Sequence, residues 1–482
     1  KISKIFPPPK AMHLRHRRCG TCFTCAMERD TVSARIRWLE RWISTLPWLF
    51  IAPAVCTLLC ALLLFHWLLL GVGAFLLVAG LLLRYYERRV AIPPVLRYQH
   101  TARNIRLVNK TKSLRRRVFY LPWCVSGHLQ TLVFPLRNPP ETMEHCEREF
   151  LLDPSGETVV LDWVNPVETP LGERTPIIIS LHGITGCSEQ ACMKCFAATF
   201  SERGFRAVLY NRKGCHPNHP LDEPKTYAYG DYKDMEFVCR TIRSRFPHAP
   251  MYGIGVSCGA NILVAYMGHS GEDCILDAGV SVCNGFDIVG GMERLPDFYN
   301  RLLNRMIRAN FFERNQDLLT TCRPDIDVAE VLRSTTAQEF DIAFSLKMHG
   351  YTDLTTFYRE QSSLRYIAGV RRPLLVLNPA DDPLIDINLV PSMLAKSNEH
   401  IVFAATERGG HVGYLELPQL RTFMERLAVE WFWAVGSEPS LSSPTNHRGH
   451  STTQTPQGSG RGRAPVAVRG STRAKKRRSE GF

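Results

Sequence analysis

The sequence predicts an α/β protein: a mostly parallel sheet of eight strands with helices on both faces, a helical cap inserted late in the chain, and an N-terminal transmembrane segment. Three observations carry this expectation. From residue 118 onward, apolar runs of strand length alternate with stretches of helical periodicity. The later runs, such as Ile177-Ile178-Ile179 and Leu374-Leu375-Val376-Leu377, are apolar at successive positions, as strands covered on both faces must be. Ahead of them, residues 46–83 hold no charged residue over 38 positions, against about 20 needed for a helix to cross the hydrocarbon core.

Strands are expected at 149–152, 158–164, 176–181, 206–210, 251–256, 276–283, 373–377 and 400–405. The first two alternate apolar with polar and have no helix between them, so they should pair antiparallel. Helical stretches such as 189–203 and 232–246 separate the rest. After Phe286 the alternation stops for about 80 residues of helical periodicity. An insertion there, about 289–370, would lie over the carboxyl ends of the strands, where ligands bind in such sheets.

The charge is unevenly spread. Residues 1–45 carry a net +7, 84–117 a net +10 and 437–482 a net +7, leaving −10 on 118–436. A nucleic-acid enzyme would place its basic surface on the folded domain, so no nucleic-acid partner is expected. Basic flanks beside an apolar segment suit a membrane face bearing anionic lipids. The apolar stretch is too long for a signal peptide. Positive charge on both sides favours a hairpin with both ends cytosolic, turning at His66-Trp67 or Gly71-x-Gly73; one tilted span is the alternative. Either makes an integral membrane protein, with the endoplasmic reticulum as candidate compartment.

The flanks divide accordingly. Residues 1–45 form a basic region containing Pro7-Pro8-Pro9 and Cys19-x-x-Cys22-x-x-Cys25. Structural zinc takes four ligands, usually as two separated pairs, and no fourth cysteine follows here at that spacing. No metal is expected, and acylation of membrane-proximal cysteines is weighed against an ordinary tail. The 16 cysteines form no small-domain disulfide pattern, which fits reduced thiols. Residues 84–117, ending Arg115-Arg116-Arg117, read as a basic juxtamembrane collar on lipid headgroups. Residues 437–482 are Ser/Thr/Pro/Gly-rich, carry Lys475-Lys476-Arg477-Arg478 and read as disordered. The folded catalytic domain is thus expected at 118–436.

Gly255-Val256-Ser257-Cys258-Gly259 sits between an apolar strand and a helix. A serine held on so tight a turn is presented as a nucleophile, and glycines two residues away keep β-carbons out of the crowded space. Serine needs a base, and the base a carboxylate, here in the chain order Ser, acid, His. Asp382 follows the strand 373–377 and precedes Pro383; it is the expected acid, with neighbouring Asp381 in a supporting or turn role. His411 follows the next strand on the loop Gly409-Gly410-His411-Val412-Gly413 and is the expected base. The backbone N–H groups of Ile184 and Cys258 are the expected oxyanion donors, with His182 a loop former. This chemistry needs no cofactor.

These features lie among others in a fixed order: Trp123-x-x-x-Gly127-His128-x-Gln130-Thr131, His182-Gly183-Ile184-Thr185-Gly186, Asn211-Arg212-Lys213-Gly214-Cys215 and Tyr227-x-x-Gly230-Asp231-x-x-Asp234, then Glu339-Phe340-Asp341, Gly350-Tyr351, Ala380-Asp381-Asp382-Pro383 and Gly410-His411-x-Gly413. Over residues 118–432 the chain resembles the membrane-anchored α/β-hydrolase-domain esterases related to bacterial YheT and the fungal medium-chain fatty acid ethyl ester synthases. The resemblance implies the α/β-hydrolase fold, an N-terminal anchor, a Ser-Asp-His triad and action on acyl esters; such families include acylglycerol lipases, phospholipases and ester synthases. Two departures stand out. Cys258 takes the place of a larger apolar residue, and Lys213, with Arg212 beside it, takes the place of the arginine in an N-x-R-G turn. The expected function is a membrane-bound serine hydrolase of carboxylic esters, with acylglycerol or phospholipid as substrate. Acyl transfer to an alcohol and an inactive, membrane-tethered binding protein are the alternatives.

Overall fold

Strand and helix alternate so that apolar strands are buried between helical layers. The computed structural model describes residues 23–136, 146–166, 170–416 and 422–438. The Cys19 and Cys22 thiols, the Cys25 side chain and the tail from 439 lie outside the described residues.

Among the described residues one sheet holds nine strands: β1 (Val95–Tyr98), β2 (Cys146–Leu152), β3 (Thr158–Val164), β4 (Ile177–Leu181), β5 (Arg206–Asn211), β6 (Met251–Val256), β7 (Ala278–Val282), β8 (Leu374–Pro379) and β9 (Ile401–Thr406). Their spatial order is β1-β9-β8-β7-β6-β4-β5-β3-β2. Strands β4 to β9 pair in parallel, and β1, β2 and β3 join antiparallel. Register sets Leu181 beside Gly255 and Gly255 beside Ser281, so the carboxyl ends of β4, β6 and β7 reach one edge together.

Eight strands were expected, and the ninth corrects the reading of 84–117 as a collar. β1 pairs with β9 from Val95 opposite Ala405 to Tyr98 opposite Val402. Beyond it, the helix Ala102–Lys110 buries Asn104, Leu107 and Val108, and Leu114 and Val118 are buried too. The Ser113 N–H donates to the Glu430 carboxylate at 2.6 Å, on the last helix, Phe423–Gly436. The basic residues Arg115, Arg116 and Arg117 remain exposed, so the stretch is amphipathic and packs its apolar side on the domain.

The N-terminal helix runs unbroken from Phe23 to Arg89, with no turn at His66-Trp67 or Gly71-x-Gly73; the expected hairpin is not formed. Its portion Phe50–Arg89 is long and apolar enough to cross a membrane and none of it is buried. At 1.5 Å per residue these 40 residues span about 60 Å, roughly twice a hydrocarbon core. Where the helix ends it is tied to the sheet-bearing domain: the Tyr86 hydroxyl donates to the Tyr120 carbonyl, and the Arg117 guanidinium to the Glu87 carbonyl and, at 3.1 Å, to that of Ala91.

Between β7 and β8 the chain forms helices Ile288–Arg294, Asp297–Ile307, Glu313–Cys322, Val328–Arg333 and Leu354–Gln361, with π-turns at Arg308–Phe312 and Asp341–Ser345. This insertion has its own aromatic core, in which Phe312 and Phe340 each lie against Phe344, the Phe312 pair 5.3 Å apart between ring centres. Asp341 is buried there and accepts hydrogen bonds from the hydroxyls of Tyr229 at 2.6 Å, Tyr358 at 2.7 Å and Ser345 at 2.5 Å. Burial outweighs these bonds and pushes its carboxyl up to about 6. The folded protein therefore holds this proton between about pH 4 and pH 6, where the unfolded chain has released it, and stability falls as pH rises through that window. Asp341→Asn should gain roughly 3 kcal/mol relative to wild type between pH 4 and pH 7, read from unfolding midpoints in detergent. A difference independent of pH would mean that Asp341 keeps an ordinary carboxyl.

Candidate active site

The turn after β6 is built by close backbone approach. Ser257 has φ +54° and ψ −121°, a conformation L side chains adopt only under tertiary constraint. A β-carbon on Gly255 would lie 2.3 Å from the Gly259 carbonyl oxygen, and one on Gly259 would lie 2.4 Å from that of Leu181, so only glycine fits either place. The helix Cys258–Ser270 starts at once and directs its N-terminal N–H groups toward the serine side.

Three side chains predicted from sequence meet here. His411 Nε2 lies 2.9 Å from Ser257 Oγ, and His411 Nδ1 lies 2.9 Å from Asp382 Oδ2. Only Nδ1–H can donate to a carboxylate, which leaves Nε2 as acceptor for the serine hydroxyl. The other carboxylate oxygen of Asp382 accepts N–H bonds from Leu384 at 2.8 Å and Ile385 at 3.1 Å, which fixes its plane. Asp381 does not reach the histidine. Its carboxylate accepts the Gly410 N–H at 2.9 Å and so shapes the loop that carries His411, and burial pushes its carboxyl up.

The loop after β4 supplies the opposite wall. His182 is fully buried; its Nδ1–H donates to the Gly183 carbonyl at 2.8 Å, and its Nε2 accepts the Arg212 N–H at 3.3 Å. Burial, then the neighbouring Arg212 charge, lowers its pKa and keeps it neutral. Ile184 and Cys258 both line the cavity beside Ser257. Among the described residues the Ile184 N–H has no backbone acceptor, and the Cys258 N–H, in the first helical turn, has no i−4 partner. Both are therefore available to an oxyanion.

Three further residues, to which the sequence assigns no individual role, contribute to the site. Arg212 is buried, stacks 4.1 Å from the centre of the Tyr227 ring, and donates to the Gly183 carbonyl at 2.6 Å and toward Cys258 Sγ at 3.2 Å. Among the described residues no carboxylate pairs with it, so a buried positive charge stands behind the oxyanion side. Lys213 instead turns away, to Asp153 at 2.6 Å and Asp234 at 2.8 Å. Thr131 Oγ1 accepts the backbone N–H of His411 at 2.8 Å. Cys283, at φ +51° after β7, accepts the Val412 N–H on its sulfur at 3.3 Å. The ligand atoms of Cys283, Asp382 and His411 lie within 4.8 Å of one another, but both histidine nitrogens are already used in the chain from Asp382 to Ser257. Thr131 and Arg212 each lie within a motif of the sequence, but the contacts that give them these roles cross between strand ends; nothing local in sequence flags Cys283.

Arg212→Leu should lower kcat by roughly tenfold to a hundredfold with little change in KM, because the Gly183 carbonyl keeps only the His182 donor, the buried positive charge is lost and the oxyanion loop shifts. Steady-state kinetics check this, and a kcat within about twofold of wild type would show that the loop stands without the arginine.

The three side chains open onto a cavity of about 520 Å³. Its wall is mainly apolar, with Leu132, Phe286, Ile288, Met292, Leu295 and Leu302 among the contributors. The charged residues lining it are Asp287, which caps the helix Ile288–Arg294, and Asp386, which pairs with Arg294 at 2.5 Å. No lysine or arginine is among the described residues that line it.

A family profile described as alpha/beta hydrolase fold matches residues 176–418. The chain belongs to the alpha/beta hydrolase family. Among curated alpha/beta hydrolases it is 27% identical over 371 residues to monoacylglycerol lipase ABHD2 of Mus musculus, covering 71% of this chain and 86% of that protein. It is 28% identical over 330 residues to phospholipase ABHD3 of Bos taurus, covering 65% and 77%. Among solved structures, it is similar to the Pyrococcus furiosus esterase Pf2001 with a TM-score of 0.39 and 13% identity, over 61% of this chain and 98% of that one.

Proposed function

We propose that this alpha/beta hydrolase is a membrane-bound serine hydrolase that cleaves lipid acyl esters. The observation that carries the reading is the hydrogen-bonded chain from Asp382 through His411 to Ser257, ending at an apolar cavity. Lipase and phospholipase names among the relatives support lipid esters as the substrate class. In the proposed reaction Ser257 Oγ attacks the ester carbonyl while His411 takes its proton. The imidazolium is stabilised by Asp382. The N–H groups of Ile184 and Cys258 hold the oxyanion, with the Arg212 charge behind them. His411 then protonates the departing alcohol. Water, activated by the same histidine, releases the acyl group from Ser257.

The apolar wall suits the acyl chain, and the helix Phe50–Arg89 suits a chain held in a membrane. The motif likeness to YheT and the fungal ethyl ester synthases adds acyl transfer to an alcohol as a use of the same acyl-enzyme. Purified protein in detergent, given acylglycerols, phospholipids and a labelled alcohol, separates these outcomes. Free fatty acid as the main product is expected. Ester formation exceeding hydrolysis would replace hydrolase by transferase, and no acyl release from any ester, with Ser257 unlabelled by a fluorophosphonate, would leave only a binding role.

A further inference from the structure

Residues 118–136 contain no charged residue over 19 positions, between Arg115-Arg116-Arg117 and Arg137. The catalytic triad does not explain why so apolar a stretch sits at the surface. One side of it is locked to the site. The Gln130 side chain donates to the Cys124 carbonyl at 2.6 Å and accepts the Leu415 N–H at 2.8 Å, Thr131 holds His411, and Phe134 is buried. The other side is bare: Trp123 is 64% exposed, Leu129 44% and Leu136 77%. Leu132, Phe134 and Pro135, on the same segment, line the cavity.

The insertion extends this face. His128 stacks on Tyr299, a cavity residue, with Nδ1 2.7 Å from its hydroxyl, and Phe298 packs its ring 5.1 Å from Tyr299 while remaining 60% exposed. An exposed apolar face thus spans two segments that also contribute to the cavity wall. It starts where the long helix stops, since Tyr86 and Ala91 are bonded to Tyr120 and Arg117. A tryptophan and apolar side chains between arginines is the composition of a segment lying at a membrane interface, rings in the headgroup layer and cations toward phosphates.

We infer that Trp123, Leu129, Leu136 and Phe298 form a bilayer-docking face that seats the cavity mouth in the membrane crossed by Phe50–Arg89. The inference rests on the lipid-esterase reading and on that helix spanning the membrane. A lipid bilayer, rather than a second protein, is the occupant because the face is continuous with the end of the membrane-length helix and is bracketed by arginines. An acyl ester then passes from leaflet to Ser257 without crossing water.

The test uses the full chain in vesicles of phosphatidylcholine and phosphatidylserine. The variants are Trp123→Glu, Leu129→Glu, Leu136→Glu and Phe298→Glu, singly and together. Each is assayed on a long-chain acylglycerol in the bilayer and on a short-chain, water-soluble ester. The combined variant should lose at least about tenfold on the embedded ester and stay within about twofold on the soluble one, with fluorophosphonate labelling of Ser257 unchanged. Brominated lipids should quench Trp123 emission, taken as the difference between wild type and Trp123→Phe. Equal losses on both esters would overturn the inference, as would an unaltered embedded-ester rate with Trp123 unquenched. A change only in oligomeric state would make the face a protein interface and also overturn it. Should wild type hydrolyse neither ester, the lipid-esterase reading fails while quenching of Trp123 still decides the face.

Discussion

Ser257→Ala should abolish ester hydrolysis, with a loss of roughly 10⁴-fold or more, and abolish fluorophosphonate labelling, while the melting temperature barely moves. The hydroxyl is the atom that His411 faces at 2.9 Å, and no neighbouring side chain is placed to replace it. Cys258 is adjacent in sequence, but its thiol points to Arg212 and the Tyr229 carbonyl, and burial raises its pKa. Alanine keeps the φ of +54° and so keeps the strain of the turn. Ser257→Gly should be equally inactive yet more stable by about 1 kcal/mol, since glycine adopts that φ freely. Activity assays and thermal unfolding of the two variants side by side check both halves. Residual turnover within about tenfold of wild type in Ser257→Ala would remove the nucleophile from this position.

Asp382→Asn should reduce kcat by roughly 10⁴-fold, and Asp381→Asn by less than about tenfold. The two aspartates are adjacent and both shielded, yet their partners differ. Asp382 meets His411 Nδ1 at 2.9 Å and fixes the tautomer that leaves Nε2 free to accept the serine proton. An asparagine presenting its NH₂ there would force the opposite tautomer. Asp381 meets only the loop backbone, at the Gly410 N–H, so its replacement alters loop placement and not proton chemistry. Comparable losses in the two variants would mean that the acid is shared or exchanged.

The elements that converge on Ser257 were legible because each sits immediately after an apolar strand. A parallel sheet brings strand carboxyl ends together, so Asp382 after β8 and His411 after β9 could be placed without knowing any long-range contact. β1 was not legible. It has four residues, one of them Arg97, and it lies among ten other basic residues that suggest a headgroup collar. Its strand character comes from β9, which offers an unpaired edge. The hairpin expected in 46–83 followed from charge symmetry, whereas local helix propensity of Leu and Ala carries the chain through Gly71 and Gly73 without a break. The role of Arg212, noted in sequence only as the neighbour of Lys213, was not legible because its partners, Gly183 and Tyr227, belong to loops brought together only by the fold.

The pairing of β1 with β9 also dictates where the chain tolerates being cut. Removing everything before residue 118 would take away β1 and bare the N–H and C=O groups of β9, the strand that runs into the His411 loop. An open edge of Ile401-Val402-Phe403-Ala404-Ala405 is an invitation to pair with another copy, and aggregation would follow. Val90 and Ala91 are buried as well, so a water-soluble truncation has to begin at or before Val90, directly after the last turn of the long helix. The long helix and the sheet-bearing domain meet at this short stretch of backbone, and a protease or a cloning boundary placed after β1 would leave the edge of β9 unpaired.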